Sequence, residues 1–429
     1  VRRFAGAATL VLFGLGRPAL PDDRIAIRAG RLVDVEAGVV RPHQVILVKG
    51  GRIESVQEAS APIPPDARLI DLSGDTVLPG LIDCHTHLVG EIQSAGAGAP
   101  LEASPAQDAF SGVRHARATL LAGFTTVRDV GTFRAFVDVA LRDAINDGTV
   151  VGPRMAVAGA YITVSSGSGD ITGLSPDILI PHDLRFGVAN SPSEVRRKVR
   201  EIMNGGADLI KIMATGAVLT RGTRPGVPEF GEEELRAAVQ EAALYGARVA
   251  AHAHGAEGIK NAVRAGVHSI EHGSLLDDEG IELMRKHGTF LVADIYNGDY
   301  IATEGRKQGW PEEYLRKNDE TTEAQRNGFR KAVRAGVRIA FGTDSGVYPH
   351  GDNARQLPYM VRYGMTPMQA IQSATLEAAR LIGWEERVGS VSKGKWADII
   401  AVPGDALLDL SSFASVPFVM KGGAVVKGP

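Results

Sequence analysis

Short apolar runs recur through the middle of the chain at Leu78–Asp83, Thr125–Val130, Met155–Ala160, Leu209–Met213, Val249–Ala251, Ser269–Ile270, Thr289–Ala293 and Ile339–Phe341. Between them the apolar positions take up a helical period over Ser193–Asn204, Gly231–Leu244, Ile259–Ala265 and Ala324–Ala335. Strands that alternate with helices predict a parallel sheet. Eight of them predict a closed (β/α)₈ TIM barrel over residues 80–387, and 429 residues leave room for a barrel of about 250 residues and a smaller domain. The stretch Ser165–Val188 is rich in Gly, Ser, Pro and Asp and reads as a long loop over the barrel mouth.

The two ends follow a different pattern. Ile25-Ala-Ile-Arg, Gln44-Val-Ile-Leu-Val and Arg52-Ile-Glu-Ser-Val are short strands parted by glycine-containing turns. Asp398-Ile-Ile-Ala-Val, Pro417-Phe-Val-Met and Ala424-Val-Val repeat the style, with Gly422-Gly423 as a hairpin signal. Residues 24–79 and 388–429 are therefore expected to build one small β-sandwich beside the barrel. In residues 1–23, Arg2 and Arg3 precede an apolar run from Phe4 to Leu15, ended by Arg17 and Pro18. This reads as a secretory signal peptide or as a tail packed on the domain. The run is too short for a membrane span. A periplasmic or secreted location is the expectation, with the cytoplasm as the alternative.

Charge narrows the choice of partner. Forty-seven Lys and Arg face 50 Asp and Glu, a formal net charge of −3, and no long basic run supplies a footprint for nucleic acid. A small molecule is the expected partner. The single cysteine, Cys84, excludes an intramolecular disulfide and reads as a packed, inert thiol.

The chemistry-bearing residues fall at the ends of the expected strands: Asp83-Cys-His85-Thr-His87, Ile210-Lys211-Ile212, Ala251-His252-Ala-His254, Glu271-His272 and Gly342-Thr-Asp344. In such a barrel the C-terminal ends of the strands converge on one face, where active sites are built. His85 and His87, two apart, project to the same side of an extended strand, and neutral imidazoles are good ligands for Zn²⁺. An ammonium between Ile210 and Ile212 is costly unless paired or modified. Lys211 either forms a salt bridge with Asp344 or a nearby Glu, or loses its proton and reacts with CO₂ to give a carbamate able to bridge two metals. Asp344 suits metal ligation and proton transfer, and Asp-Ser-Gly also suits a simple turn.

The set His85, His87, Lys211, His252, His272 and Asp344, on strands one, four, five, six and eight, resembles the metal ligands of the binuclear amidohydrolase superfamily. The lead-in Pro79-Gly80-Leu81-Ile82-Asp83 and the terminal Gly394-Lys395-x-Ala397-Asp398-Ile399 are similar to it as well. Val249-Ala-Ala-His-Ala-His-Gly255, Ser269-Ile-Glu-His-Gly273 and His350-Gly-Asp-Asn resemble the imidazolonepropionase-like dipeptidase branch. That branch includes prolidase-type and Xaa-Arg carboxydipeptidases and bacterial hydrolases of ochratoxin A.

The resemblance implies two divalent metals, with zinc expected. His85, His87 and Asp344 would hold one, His252 and His272 the other, and a carboxylated Lys211 would bridge them. It implies attack by a metal-bridged hydroxide on the amide of an N-acyl amino acid or dipeptide, plausibly ochratoxin A with release of phenylalanine. Asp344 would be the proton shuttle. It also implies a homo-oligomer, an octamer in relatives. Where relatives carry a Gly-Gly-His type segment after strand three, this chain has Tyr161-Ile-Thr-Val-Ser-Ser-Gly-Ser-Gly169, so substrate choice is not inherited.

On strand five, His252 is expected to face a metal and His254 to meet the substrate carbonyl, with the reverse assignment open. His350, Arg221, Arg224, Tyr161 and Tyr296 are candidate substrate contacts at the mouth. Either arginine would receive a carboxylate or remain a solvated loop cation. His43, His115, His182, His268 and His287 read as solvated or packed. A second activity is open: a mononuclear deaminase or cyclic-amide hydrolase using the His254-x-x-Glu257 spacing.

Overall fold

The computed structural model describes residues 24–90, 98–175 and 177–428. The expected signal peptide or tail, residues 1–23, lies outside the described residues. The chain opens with β1 (Ile25–Asp34), β2 (Val39–Lys49), β3 (Arg52–Glu58) and β4 (Arg68–Pro79). Eight short strands follow: β5 (Leu81–Thr86), β6 (Phe124–Asp129), β7 (Arg154–Val157), β8 (Tyr161–Ile162), β9 (Ile210–Met213), β10 (Val249–Ala253), β11 (Ser269–His272) and β12 (Phe290–Val292). The chain closes with β13 (Ile399–Pro403), β14 (Phe418–Lys421) and β15 (Ala424–Lys427).

The terminal strands form one mixed seven-stranded sheet, β15-β14-β13-β4-β1-β2-β3, where the sequence suggested a sandwich of two. Alternation of apolar and polar residues sets which face is buried, not what covers it. Here the buried face gathers Ile27, Ile46, Ile70, Val77, Ile399 and Phe418 into one core drawn from that sheet. Two parallel sheets occupy the middle: β5-β6-β7 and β12-β11-β10-β9-β8. The segment after Val337 joins them. Leu291 of β12 exchanges hydrogen bonds with Arg338 and Ala340, and Cys84 and His87 accept their places on the other side by donating to Phe341 and Ser345. These bonds deliver Asp344 between β12 and β5.

Two boundaries differ from the sequence reading. The run Met155–Ala160 is broken by Gly159, whose φ of +72° turns the chain, and Tyr161–Ile162 pairs with β9 as a separate short strand. The helix expected over Ala324–Ala335 is the second half of a longer one, Glu312–Ala335. Its first half buries Lys317, Asn318 and Thr321 as well as Tyr314 and Leu315, so its inner face carries little apolar periodicity. No helix among the described residues is long and apolar enough to cross a membrane.

Candidate metal centre

The ends of β5, β10 and β11 and the 338–345 segment open on a cavity of about 840 Å³, counted out to its mouth. The structure brings His85, His87 and Asp344 together, and separately His252, His254 and His272, with the nearest potential ligand atoms of each group within 4.8 Å of one another. A third group shares members with both: His272, Asp294 and Asp344. Asp344 Oδ1 lies 3.2 Å from His87 Nε2 and 3.5 Å from His85 Nε2. His272 and Asp344 end their segments in the left-handed region, with φ of +68° and +56°. That conformation is costly for a residue bearing a side chain and tends to persist at functional sites.

Every imidazole is anchored by one nitrogen and leaves the other for a ligand. His85 Nδ1 meets Glu271 at 2.9 Å, His87 Nδ1 the Gly131 carbonyl at 2.7 Å, and His272 Nδ1 Asp294 at 3.0 Å. His254 Nδ1 meets Ser274 Oγ at 2.7 Å, and His252 is held instead through Nε2, 3.4 Å from the Gly216 carbonyl. Four rings thus present Nε2 and His252 presents Nδ1. Such back-side partners fix the ring and its tautomer in metal sites. Gly131 is needed at its position: its φ is +117°, and a Cβ there would stand 2.7 Å from the Tyr161 ring.

The electrostatics favour neutral donors. Burial, reinforced by neighbouring imidazoles and Lys211, holds His85, His252 and His254 well below the ordinary imidazole range. His272 is the exception. Burial opposes its protonation, but the Asp294 carboxylate outweighs that and raises it. Asp294 is correspondingly held well below the usual carboxylate range, burial being overcome by His272 and Asn297. Lys211 is fully enclosed, and burial brings its amine down from 10.5 to about 8 against the pull of Glu271 and Asp344. Among the described residues it has neither the salt bridge considered above nor a hydrogen bond, and it lines the cavity.

Of the expected substrate contacts, His254 and Tyr161 line the cavity. The Tyr161 hydroxyl donates to Gly131 O at 3.1 Å and lies 3.2 Å from His87 Nδ1. The others stand elsewhere. Arg221 and Arg224 are exposed on the loop beyond Thr220, and no arginine lines the cavity among the described residues. The Tyr296 ring packs against Tyr348 and Tyr359, and the His350 ring stacks on His115 at 4.3 Å. Glu257 points to solvent from the helix Ala256–Ala265, near Lys260 and Arg264, so the His254-x-x-Glu257 spacing does not form a pair at the cavity. Cys84 is buried, with burial pushing its thiol far up, as an inert packed group requires.

Sequence reasoning missed the supports. Arg128 Nη2 donates to both oxygens of buried Glu271 at 2.8 Å, and its other nitrogens reach Cys84 O and Ser269 Oγ. Asn297 Nδ2 bridges Asp294 Oδ2 at 2.9 Å and Asp344 Oδ2 at 3.1 Å. Gln325 Nε2 reaches Asp294 Oδ1 at 2.8 Å. Glu271, next to His272, is the one the motif Ser269-Ile-Glu-His exposed to view.

Residues 76–427 match the amidohydrolase family, and the chain belongs to it. It is a hydrolase of the class that acts on amide or peptide bonds, in the branch shared by imidazolonepropionases and prolidases. The chain is 36% identical over 379 residues to the ochratoxinase of Aspergillus niger, covering 82% of this chain and 76% of that protein. A Xaa-Pro dipeptidase solved with methionine in its active site is 40% identical with a TM-score of 0.89, over 95% of this chain and all (100%) of that one. The imidazolonepropionase of Symbiobacterium thermophilum is 24% identical over 95% of this chain and 96% of its own length.

Proposed function

We propose that the chain is a two-metal amidohydrolase that cleaves the amide bond of dipeptides or N-acyl amino acids, with ochratoxin A among its candidate substrates. One observation carries this reading. Two groups of ligand atoms open on one cavity, and a buried lysine on β9, without a hydrogen bond or ion pair among the described residues, lines the same cavity. The parallel sheets linked through residues 338–345 support reading the middle of the chain as one (β/α)₈ barrel. The ochratoxinase and dipeptidase relatives support the substrate class.

The donor set fits divalent cations: imidazoles with anchored backs, and one carboxylate between two of them. His85, His87 and Asp344 would hold one ion, His252 and His272 the other, and Lys211 as its carbamate both. When bound, such ions acidify a water to a pKa of about 7 and polarise a carbonyl oxygen. Asp344 accepts the proton of the attacking water on its carboxylate and returns it to the leaving nitrogen. Asn297 holds Oδ2 of that carboxylate, which leaves Oδ1 towards His85 and His87. His254, neutral and with Nδ1 accepting from Ser274, is poised to donate Nε2–H to the substrate carbonyl.

The test is metal analysis alongside a substrate panel. The purified chain is expected to carry about two equivalents of zinc or a similar ion. It is expected to hydrolyse N-acyl amino acids or dipeptides and to lose that activity on chelation. One equivalent at full activity, or turnover indifferent to chelators, would refute the reading.

Carbamate formation needs the free amine, and an amine titrating near 8 is protonated below that pH and free above it. At fixed dissolved CO₂, reactivation of metal-stripped protein by zinc is therefore expected to speed up between pH 7 and pH 9 and then level off. A rate that climbs only near the ordinary lysine value would exclude a Lys211 carbamate as the limiting event.

A further inference from the structure

The wall of the cavity facing Asp294 and Asp344 is built from the helix Glu312–Ala335. Asn318, Thr321, Thr322 and Gln325 line the cavity from this helix. Asn318 is tied down through Nδ2, which donates to Gly298 O at 3.0 Å, and through Oδ1, 3.3 Å from the Thr322 hydroxyl. The two threonines and the glutamine are uncharged, and all three have committed their donors inside the protein. The Thr321 hydroxyl donates to Lys317 O at 2.9 Å and the Thr322 hydroxyl to Asn318 O at 2.7 Å. Gln325 Nε2 donates to Asp294 Oδ1 at 2.8 Å and to His272 O at 3.2 Å.

The orientation of the Gln325 amide follows from chemistry. Both partners are acceptors only, so the nitrogen must face them. Both of its hydrogens are then used. Oε1 remains, with no partner among the described residues, on a side chain that lines the cavity. The two threonines likewise offer only oxygen lone pairs. Lys317, one turn earlier, does not line the cavity, and its Nζ is committed, donating to Thr220 O at 2.8 Å and pairing with Glu313 at 2.6 Å.

Gln325 Oε1 and the two threonine oxygens offer acceptors to a cationic donor that enters the cavity beside them. We propose that Gln325, with Thr321 and Thr322, recognises the protonated amino terminus of a dipeptide, so that the enzyme prefers free dipeptides to their N-acylated counterparts. This rests on the amide-hydrolase reading above and chooses between the two substrate types it leaves open. A hydrogen bond to a charged group contributes about 1.5–3 kcal/mol, or roughly ten- to hundredfold in kcat/KM.

The test compares L-Met-L-Phe with N-acetyl-L-Met-L-Phe, which share the scissile bond, on the zinc-loaded full chain. Wild type is expected to favour the free dipeptide in kcat/KM by about tenfold or more. Gln325→Met removes the acceptor and also the support of Asp294, so kcat falls for both substrates. Only the recognition role erases the preference, through a higher KM for the free dipeptide alone. Equal kcat/KM for the two substrates in wild type, or a preference that survives in Gln325→Met, overturns the inference. Cleavage of neither overturns this inference, and it overturns the amide-hydrolase reading as well only where the wider panel of dipeptides, N-acyl amino acids and ochratoxin A is left intact too.

Discussion

Asp344→Asn and Lys211→Ala are each expected to lower kcat by about 10²–10⁴-fold while the protein stays folded. Asp344 lies closest to the two imidazoles of the first group, with Oδ1 at 3.2 and 3.5 Å from their Nε2 atoms. An asparagine fits the same space but carries no charge and cannot take a proton. Lys211 is fully buried, so alanine leaves a cavity where its stem packed, but it breaks no hydrogen bond or ion pair of the amine. Loss of activity in a variant that keeps its fold, with rescue by an added carboxylate, therefore speaks for the amine itself. A short carboxylate such as acetate or propionate, diffusing into the space left by the side chain, is expected to restore part of the Lys211→Ala activity. Turnover is measured against circular dichroism and thermal melting of the same samples. Near wild-type turnover in either variant would remove the proposed proton shuttle or the proposed bridge.

The ligand groups were legible in the sequence because each sits at the end of an apolar run. The end of an apolar extended run fixes the direction of the side chain, so His85 and His87 gather with Asp344, and His252 with His272, at one cavity. The residues that steer them were not legible. Arg128 and Glu271 are 143 positions apart, and Asp294 meets Gln325 across 31, so no local spacing announces either pair. The candidate mouth residues failed for a related reason. Arg221, Arg224, Tyr296 and His350 stand on loops, whose direction depends on tertiary contacts such as the stacking of His350 on His115. The acceptor wall was hidden because residues 312–323 look like a solvated helix, Glu-Glu-Tyr-Leu-Arg-Lys-Asn-Asp-Glu-Thr-Thr-Glu. Only the structure reveals that its polar face turns inward. The expected sandwich was drawn from period-two burial in strands of both ends, which shows which face is covered but not how many sheets those strands form.

Arg128→Met is expected to be the most damaging single change outside the ligand set. Glu271 is fully buried and its charge is matched by the guanidinium, which donates to both carboxylate oxygens at 2.8 Å. Replacing one partner of such a pair leaves an uncompensated buried charge, at a cost of about 3–5 kcal/mol. The same carboxylate holds His85 Nδ1 at 2.9 Å, so the penalty reaches the site. Loss of an equivalent support typically weakens metal binding by about 10–100-fold. Denaturant unfolding of the metal-free protein reads the first effect and zinc competition with a chromogenic chelator the second. The double variant Arg128→Met/Glu271→Gln separates them. A neutral amide needs no counter-charge, so stability is expected to recover to within about 1–2 kcal/mol of wild type. Zinc affinity is expected to stay low, because an amide orients His85 less strongly than a carboxylate does. If Arg128→Met binds zinc as tightly as wild type, the ion pair stabilises the fold alone and His85 is held by its own packing.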